Sequence, residues 1–388
     1  MELTKCKLGE LITQRREKND GSDLPICGVS KDGLIPPKQK DADTSIYNVF
    51  YRDDFIFNPA RMELNSIAIN DMYDRAICSS LYEVFYVHRT DLLLPHYLEL
   101  IIRQKWFTRY CKFLGQGSAR EYCRFGNISE IEIEFPPIEE QQKIVEYNTA
   151  IENRIALKQK INDNLEATVQ AIFKSEFIDY ERANYSDYIE FEFGKYPATW
   201  NLVDLDTAVD VRDGTHDSPS PTESGKYLIT SRHLLPYAVD RSDAYFISEA
   251  DFKKANERSK VEYGDILFSM IGTIGIISFI TDKEVDFAIK NVGLFRTSQN
   301  PTIRYFILSY LKSKIVENYI SSYMAGSTQS YVSLNVLRKI PLILPTEDVL
   351  QHFEKQVTPL YAKMIENTHE IAKLNDLKDV ITTSMSSR

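Results

Sequence analysis

The sequence predicts an α+β protein. Two similar mixed α/β domains follow each other in tandem, each followed by a long helix, and the two helices pair as an antiparallel coiled-coil spacer with pseudo-two-fold symmetry. Three observations carry this expectation. The chain matches itself at an offset of 209 residues. Each copy holds short apolar runs broken by Gly, Pro, Asn and Asp, the pattern of strands and turns. Each copy then ends in a polar-rich segment whose apolar residues recur every seven positions.

The repeat is clearest where GSAREYCRFGNISEIEIEFPPIEEQQ (117–142) falls on GSTQSYVSLNVLRKIPLILPTEDVLQ (326–351) without a gap. Gly117 meets Gly326, Ser118 meets Ser327, Tyr122 meets Tyr331, and Pro136 meets Pro345. Ile131, Ile133 and Phe135 meet Ile340, Leu342 and Leu344 in what reads as one alternating strand per copy. Upstream, DDFIFN (53–58) resembles GDILFS (264–269), Phe85 pairs with Phe295, and Tyr97-Leu98 pairs with Tyr305-Phe306. Strands are expected over 82–87 and 265–270, and single helices over 95–112 and 303–319.

Proline then closes the strand, and glutamates suit the positive end of the helix that opens. Along the first long segment Ile144, Ile151, Leu165 and Ile172 fall at multiples of seven, with Ile155 and Val169 four residues after members of that row. Along the second, Phe353, Leu360, Leu374 and Ile381 repeat the pattern, with Val357, Met364 and Ile371 four residues on. Both rows are interrupted at the same rung, by Lys158 and Asn367. A polar residue at a seam costs stability but fixes register. Each helix should run about 38 residues, roughly 57 Å at 1.5 Å per residue. The first leads from one globular unit to the next, so a partner sharing its seam runs back and brings the C-terminus near the first unit. The expected division is domain 1 over 1–137, spacer helix 1 over 138–178, domain 2 over 179–346 and spacer helix 2 over 347–388.

Composition sets bounds on function. With 43% hydrophobic and 26% charged residues the chain is of ordinary globular make-up. No apolar run approaches the roughly 20 residues of a membrane helix, and the first residues do not read as a signal peptide. Five cysteines without a Cys-x-x-Cys give neither a disulfide framework nor a zinc cluster, and suit a reducing cytoplasm. A net charge of −10 weighs against nucleic acid as a whole-chain partner. Binding is local, however, and two stretches are basic: Arg103, Lys105, Arg109, Lys112, Arg120 and Arg124 against Glu121, and Arg304, Lys312, Lys314, Arg338 and Lys339 against Glu317. They occupy matching places in the two copies, which points to double-stranded DNA read at two half-sites.

Catalytic motifs are absent from the sequence. No phosphate loop GxxxxGK[ST] is present, no Asn/Asp-Pro-Pro-aromatic motif to hold an extruded base, and the six histidines lack metal-ligand spacing. FLGQG (113–117) matches a methyltransferase loop for S-adenosylmethionine, but it follows an expected helix rather than a strand, and the second copy replaces Gly115 with Met324. A glycine turn after a helix accounts for it.

The junction EFPPIEEQQKI (134–144), its degenerate copy LILPTEDVLQHF (342–353), and the opening YPATWNLVDLDTAVDVRDGTHDSP (196–219) resemble the specificity (S) subunits of type I restriction–modification enzymes, over essentially the whole chain. The second copy departs at Val349-Leu350, where the first has a Glu-Gln pair. The resemblance implies a non-catalytic subunit. Its two target-recognition domains would read a bipartite site, and its helices would set the unread spacing and dock two modification (methyltransferase) subunits. Restriction (translocase/nuclease) subunits would join them. No cofactor is implied on this chain; S-adenosylmethionine, ATP and Mg are implied on the partners, in a bacterial or archaeal cytoplasm. Two other readings stand beside it: a stand-alone S-adenosylmethionine-dependent methyltransferase using FLGQG, and a helical scaffold that binds protein only.

For DNA contacts the sequence offers loop residues with forked, amide or cationic side chains. Arg120 and its counterpart Gln329 in the Gly-Ser loops are the best matched pair. Arg15, Arg16, Lys38, Arg61, Thr215, His216, Arg232, His233, Lys253 and Lys254 complete the set. The expected seam and partner-docking residues are Ile144, Ile151, Ile155, Lys158, Leu165, Phe353, Leu360, Met364, Asn367 and Leu374.

Overall fold

In the computed structural model the described residues are all but 1–2, 32, 38–42, 116–121, 182–185, 193, 326–330 and 387–388. The chain divides into two units, Met1–Ile155 with Lys373–Arg388, and Ala156–Ala372.

In the first unit, Ile12–Arg15, Glu83–Val87, Phe55–Phe57 and Ile67–Ile69 form an antiparallel sheet in that order. A second sheet, Gly33–Ile35, Ile26–Ser30, Arg75–Cys78 and Asn48–Tyr51, contains one parallel pair, with Cys27 opposite Cys78. Thr4–Lys7 pairs with Glu132–Phe135, the strand read from the alternation of Ile131, Ile133 and Phe135. Helices α1 (Pro95–Ile102), α2 (Lys105–Gly115) and α3 (Phe125–Ser129) cover the core. There Phe55 and Phe85 stack with ring centroids 4.9 Å apart.

The second unit repeats this plan. Val211–Asp213, Val292–Phe295, Ile266–Ser269 and Ile277–Phe279 form the antiparallel sheet. Lys226–Ile229 lies parallel to Phe287–Ile289, as Ile26–Ser30 does to Arg75–Cys78. Asn201–Asp204 pairs with Pro341–Leu344. The aligned motifs DDFIFN and GDILFS supply equivalent strands: Phe55 sits opposite Phe85 in one unit, Ile266 opposite Phe295 in the other. Besides α5 (Leu205–Ala208) and α6 (Glu249–Ser259), the helices are α7 (Arg304–Leu311), α8 (Lys314–Ala325) and α9 (Leu334–Arg338).

The single helices expected over 95–112 and 303–319 are each broken in two, into α1 and α2 and into α7 and α8. The breaks fall at Arg103-Gln104 and Lys312-Ser313, matching positions of the repeat. The carbonyl of Gln104 accepts from the Phe107 amide at 3.1 Å, and that of Ser313 from the Glu317 amide at 3.1 Å, so each residue starts a new helix. Apolar periodicity runs through such a break undisturbed, which hides it in the sequence.

The remaining helices are long: α4 (Ile138–Phe177) and α10 (Glu347–Ser386). They pack together, and within each unit the pairing is antiparallel. In the first unit Lys378 Nζ donates to Glu152 Oε1 at 2.5 Å, and Met385 packs on the core beside Ile144 and Val145. In the second, Val169, Phe173 and Phe177 share a core with Phe353, Val357, Tyr361 and Met364. Ile151, Phe353, Met364 and Asn367 are buried; Ile144, Ile155, Lys158, Leu165, Leu360 and Leu374 are half-buried. The interrupting residues of the two seams meet each other. Lys158 Nζ donates to Asn367 Oδ1 at 3.1 Å and lies 2.7 Å from Glu370 Oε2, while Asn367 Nδ2 donates to Asn162 Oδ1 at 2.8 Å.

Two half-buried acids fasten the second unit to these helices. Glu166 lies 2.7 Å from Lys312 Nζ and accepts from the Tyr237 hydroxyl at 2.5 Å. Burial pushes its carboxyl up, but Lys312, Tyr237 and Gln170 together hold it below the ordinary range. Glu354 accepts the backbone N–H groups of Tyr305 and Phe306 at the start of α7, at 2.7 and 3.1 Å. Here burial outweighs those amides and Arg304, and the carboxyl is raised to about 7.

Asn367→Leu should cost about 1–3 kcal/mol in a denaturant titration of helical circular dichroism, because Lys158 and Asn162 each lose a buried partner. Lys158→Leu combined with Asn367→Leu should recover most of that loss, and a single Asn367→Leu that stabilises the chain would contradict the polar rung's role. Because the pKa of Glu354 is higher folded than unfolded, its stabilisation is present at acid pH and is lost as pH rises through about 7. Glu354→Gln should therefore flatten the fall in stability between pH 5 and pH 8, by up to about 3 kcal/mol at 1.36 kcal/mol per pKa unit.

Candidate nucleic-acid interface

Strand pairing gathers four chain ends on one rim of each unit. In the first, Phe57 is opposite Glu83, Arg15 opposite Val84 and Cys27 opposite Cys78. The carboxyl ends of Ile12–Arg15, Ile26–Ser30, Phe55–Phe57 and Arg75–Cys78 therefore lie beside the turn that leads into Glu83–Val87. In the second, Asp213 is opposite Gly293, Ser269 opposite Val292 and Ile229 opposite Ile289, so the four equivalent ends lie beside the turn at Lys290-Asn291. The residue after the Gly-Ser loop's tyrosine joins each rim by the same backbone bond. The amide of Cys123, after Tyr122, donates to Pro59 O at 3.0 Å, and that of Val332, after Tyr331, to Met270 O at 2.9 Å.

The first rim encloses a cleft of about 1000 Å³ lined by Lys31, Tyr47, Arg61, Leu64, Leu81, Tyr82, Tyr122 and Arg124 among others. Arg61 is exposed at the kink of the 3-10 segment Pro59–Leu64. Arg124 lies over the Tyr122 ring at 5.4 Å and has only a 3.4 Å contact with Glu83. Arg16 is exposed and bonded to Gln14. Cations interleaved with aromatic rings in a concave surface suit a phosphate backbone and exposed bases.

The second rim is built on the DGTH turn. The amide of Gly214 donates to Val292 O and that of Thr215 to Ile289 O, both at 2.9 Å. A Cβ at Gly214 would lie 2.3 Å from Ile289 O, so only glycine fits. His216 projects from this turn, its Nδ1 2.7 Å from Asn291 Oδ1 and its Nε2 3.0 Å from the buried Asp213 carboxylate, which also holds Arg258. Lys290 Nζ donates to Ser218 Oγ at 2.5 Å and Lys254 Nζ to Asp217 at 2.9 Å. Arg232 is exposed near Asp243, and Lys253 is exposed on α6, 3.8 Å from Glu249.

Arg16, Arg61, Thr215, His216, Arg232 and Lys254 thus lie on or beside the rims, whereas Lys38, Arg120 and Gln329 lie outside the described residues. Two candidates need correcting. Arg15 is bonded through two nitrogens to Asp54, at 2.6 and 3.0 Å, and stacked between Tyr51 and Tyr86, so it holds the sheets rather than facing solvent. His233 is not in an open polar loop. It is buried, its Nδ1 accepts the Thr230 amide at 2.9 Å and its Nε2 is 3.0 Å from Asp243, while burial holds its pKa down. Arg124, from the first basic stretch, joins the first rim, and Lys31, Arg258, Lys290 and Asn291 complete the rims without having been singled out. Of these four, only Lys290-Asn291 carried a sequence signal, as polar residues between two apolar runs. Phe113–Gly115 of FLGQG are the last residues of α2, and Gln116 and Gly117 lie outside the described residues. Among the described residues no group of three His, Cys, Asp or Glu is placed to hold a metal, and no helix is long and apolar enough to cross a membrane.

The family model for the type I restriction modification DNA specificity domain matches the chain twice, over residues 8–167 and 197–375. The chain belongs to this family. Among relatives, the type I restriction enzyme MjaIX specificity subunit of Methanocaldococcus jannaschii is 26% identical over 311 residues, covering 75% of this chain and 68% of the relative. The HindI specificity subunit of Haemophilus influenzae is 22% identical over 353 residues, covering 75% and 76%. The crystal structure of a type I restriction–modification S subunit from M. genitalium shares the fold, with a TM-score of 0.57 at 14% identity over 99% of this chain and 96% of that one. As a specificity subunit, the chain is a DNA-recognition component with no catalysis of its own.

Gly214→Ala should destabilise the second unit by about 2 kcal/mol or more and displace the DGTH turn. A thermal melt and the chemical shift of the His216 ring would both report it.

Proposed function

We propose that this chain reads a bipartite, asymmetric double-stranded DNA target, each unit reading one half through its rim. The supporting observation is the recurrence of the same four strand ends and the same backbone bond, from Cys123 to Pro59 and from Val332 to Met270, in both units, with different side chains on each. Equivalent scaffolds with unlike contacts suit two unlike half-sites. Phosphate contact falls to Arg16, Lys31, Arg61, Arg124, Lys254 and Lys290, and base contact to Thr215, His216, Asn291 and the Gly-Ser loop residues Arg120 and Gln329.

The long helices set the number of unread base pairs and scaffold two methyltransferase subunits and the translocase/nuclease subunits. S-adenosylmethionine, ATP and Mg belong to those partners, in a bacterial or archaeal cytoplasm. On this reading residues 1–137 and 179–346 are target-recognition domains, and 138–178 and 347–388 are spacers.

Methylome sequencing of cells with and without the gene should show one split methyladenine motif that vanishes with it; an unchanged methylome counts against the proposal. In the assembled complex Arg61→Ala with Arg124→Ala should weaken DNA binding and lower the dependence of log K on log salt by roughly 0.9 per lost phosphate contact.

A further inference from the structure

The turn that closes the rim differs sharply between the two units. In the second unit it is the polar pair Lys290-Asn291. In the first it is Ser79-Ser80-Leu81-Tyr82, and Leu81 is 79% exposed, more than any other large apolar side chain described. The turn is held in place: the Tyr82 amide donates to Ser79 O at 3.0 Å, the Leu81 amide to Ser79 Oγ at 3.3 Å, and Asn48 Nδ2 to Tyr82 O at 2.7 Å. Leu64, 60% exposed, lines the same cleft, together with Lys31, Arg61 and Arg124.

A lone exposed leucine is ordinary, but Leu81 and Leu64 together put two exposed apolar side chains into one cleft rimmed by polar groups, the kind of surface that marks an interaction site. The three cations around it select a polyanion. Resting on the DNA reading of this rim, we infer that Leu81 is an apolar wedge that enters between two base pairs of the half-site read by the first unit, unstacks them and bends the duplex. Apolar side chains driven between base steps do this, and the cost of unstacking is offset by the wider protein contact that the bend allows. The second unit, with Lys290 and Asn291 at the same place, reads its half without such a wedge. Part of the specificity of the first half-site then comes from how easily one step opens, since pyrimidine–purine steps open most readily.

The test uses the full chain in complex with its methyltransferase subunits and duplexes of the methylated motif, with 2-aminopurine placed in turn at each position of both half-sites. Apart from the target adenines that the methyltransferase subunits extrude, binding should raise the fluorescence severalfold at one step of one half-site only. Leu81→Ser should abolish that rise and weaken binding about tenfold with the salt slope unchanged. Leu81→Phe should retain the rise, and Arg61→Ala should lower the slope and keep it. If the wild-type complex binds its motif but no position besides the target adenines brightens, or Leu81→Ser brightens there and binds like wild type, the wedge is overturned and the DNA reading stands. Loss of the methyltransferase subunits from Leu81→Ser on gel filtration also overturns it, in favour of a protein contact. Failure of the wild-type complex to bind any methylated motif overturns both.

Discussion

Val169, Phe173 and Phe177 from one long helix and Phe353, Val357, Tyr361 and Met364 from the other lie in a single core with Phe306 and Tyr310 of α7. Ile144, Val145 and Met385 from the same two helices pack on the core of the first unit. The long helices are therefore structural parts of both units. Each buried aromatic ring on them contributes on the order of 2–3 kcal/mol by removal of apolar surface from water. Everything placed on the rims depends on this packing, because the strands that end there are short, three or four residues each in the second unit and three to five in the first. Short strands hold their register only when a buried face specifies it.

The architecture was legible because its signals are periodic. A seven-residue repeat, an alternating strand and an internal duplication each survive low identity, and the two long helices begin at Ile138 and Glu347, just past the prolines that announced them. The polar rung was legible too, since Lys158 and Asn367 interrupt the two rows at matching positions. The helix breaks before Lys105 and Lys314 were not, because backbone capping at Gln104 and Ser313 leaves no trace in apolar spacing.

The rims were legible only in part. DGTH pointed to Thr215 and His216, while the reason for its glycine, the carbonyl of Ile289, comes from a strand more than seventy residues away. Arg15 and His233 read as solvent-facing because sequence shows residue type and not neighbours. Asp54 takes the charge of the first, and burial beside Asp243 fixes the second. Arg258 serves the rim from the far end of α6 through Asp213, a relation only tertiary structure discloses.

The contact between Lys158 and Asn367 joins positions that duplication made equivalent. Two identical copies of the first half would set lysine against lysine at a desolvated rung, a repulsion with no neutralising neighbour on the same register, whereas two copies of the second would set amide against amide. The halves have diverged into a heterotypic match, lysine with asparagine and glutamate. Accidental self-association of the first half is thereby disfavoured, and recombination that exchanges one globular unit keeps its fit only if the crossovers leave this rung intact.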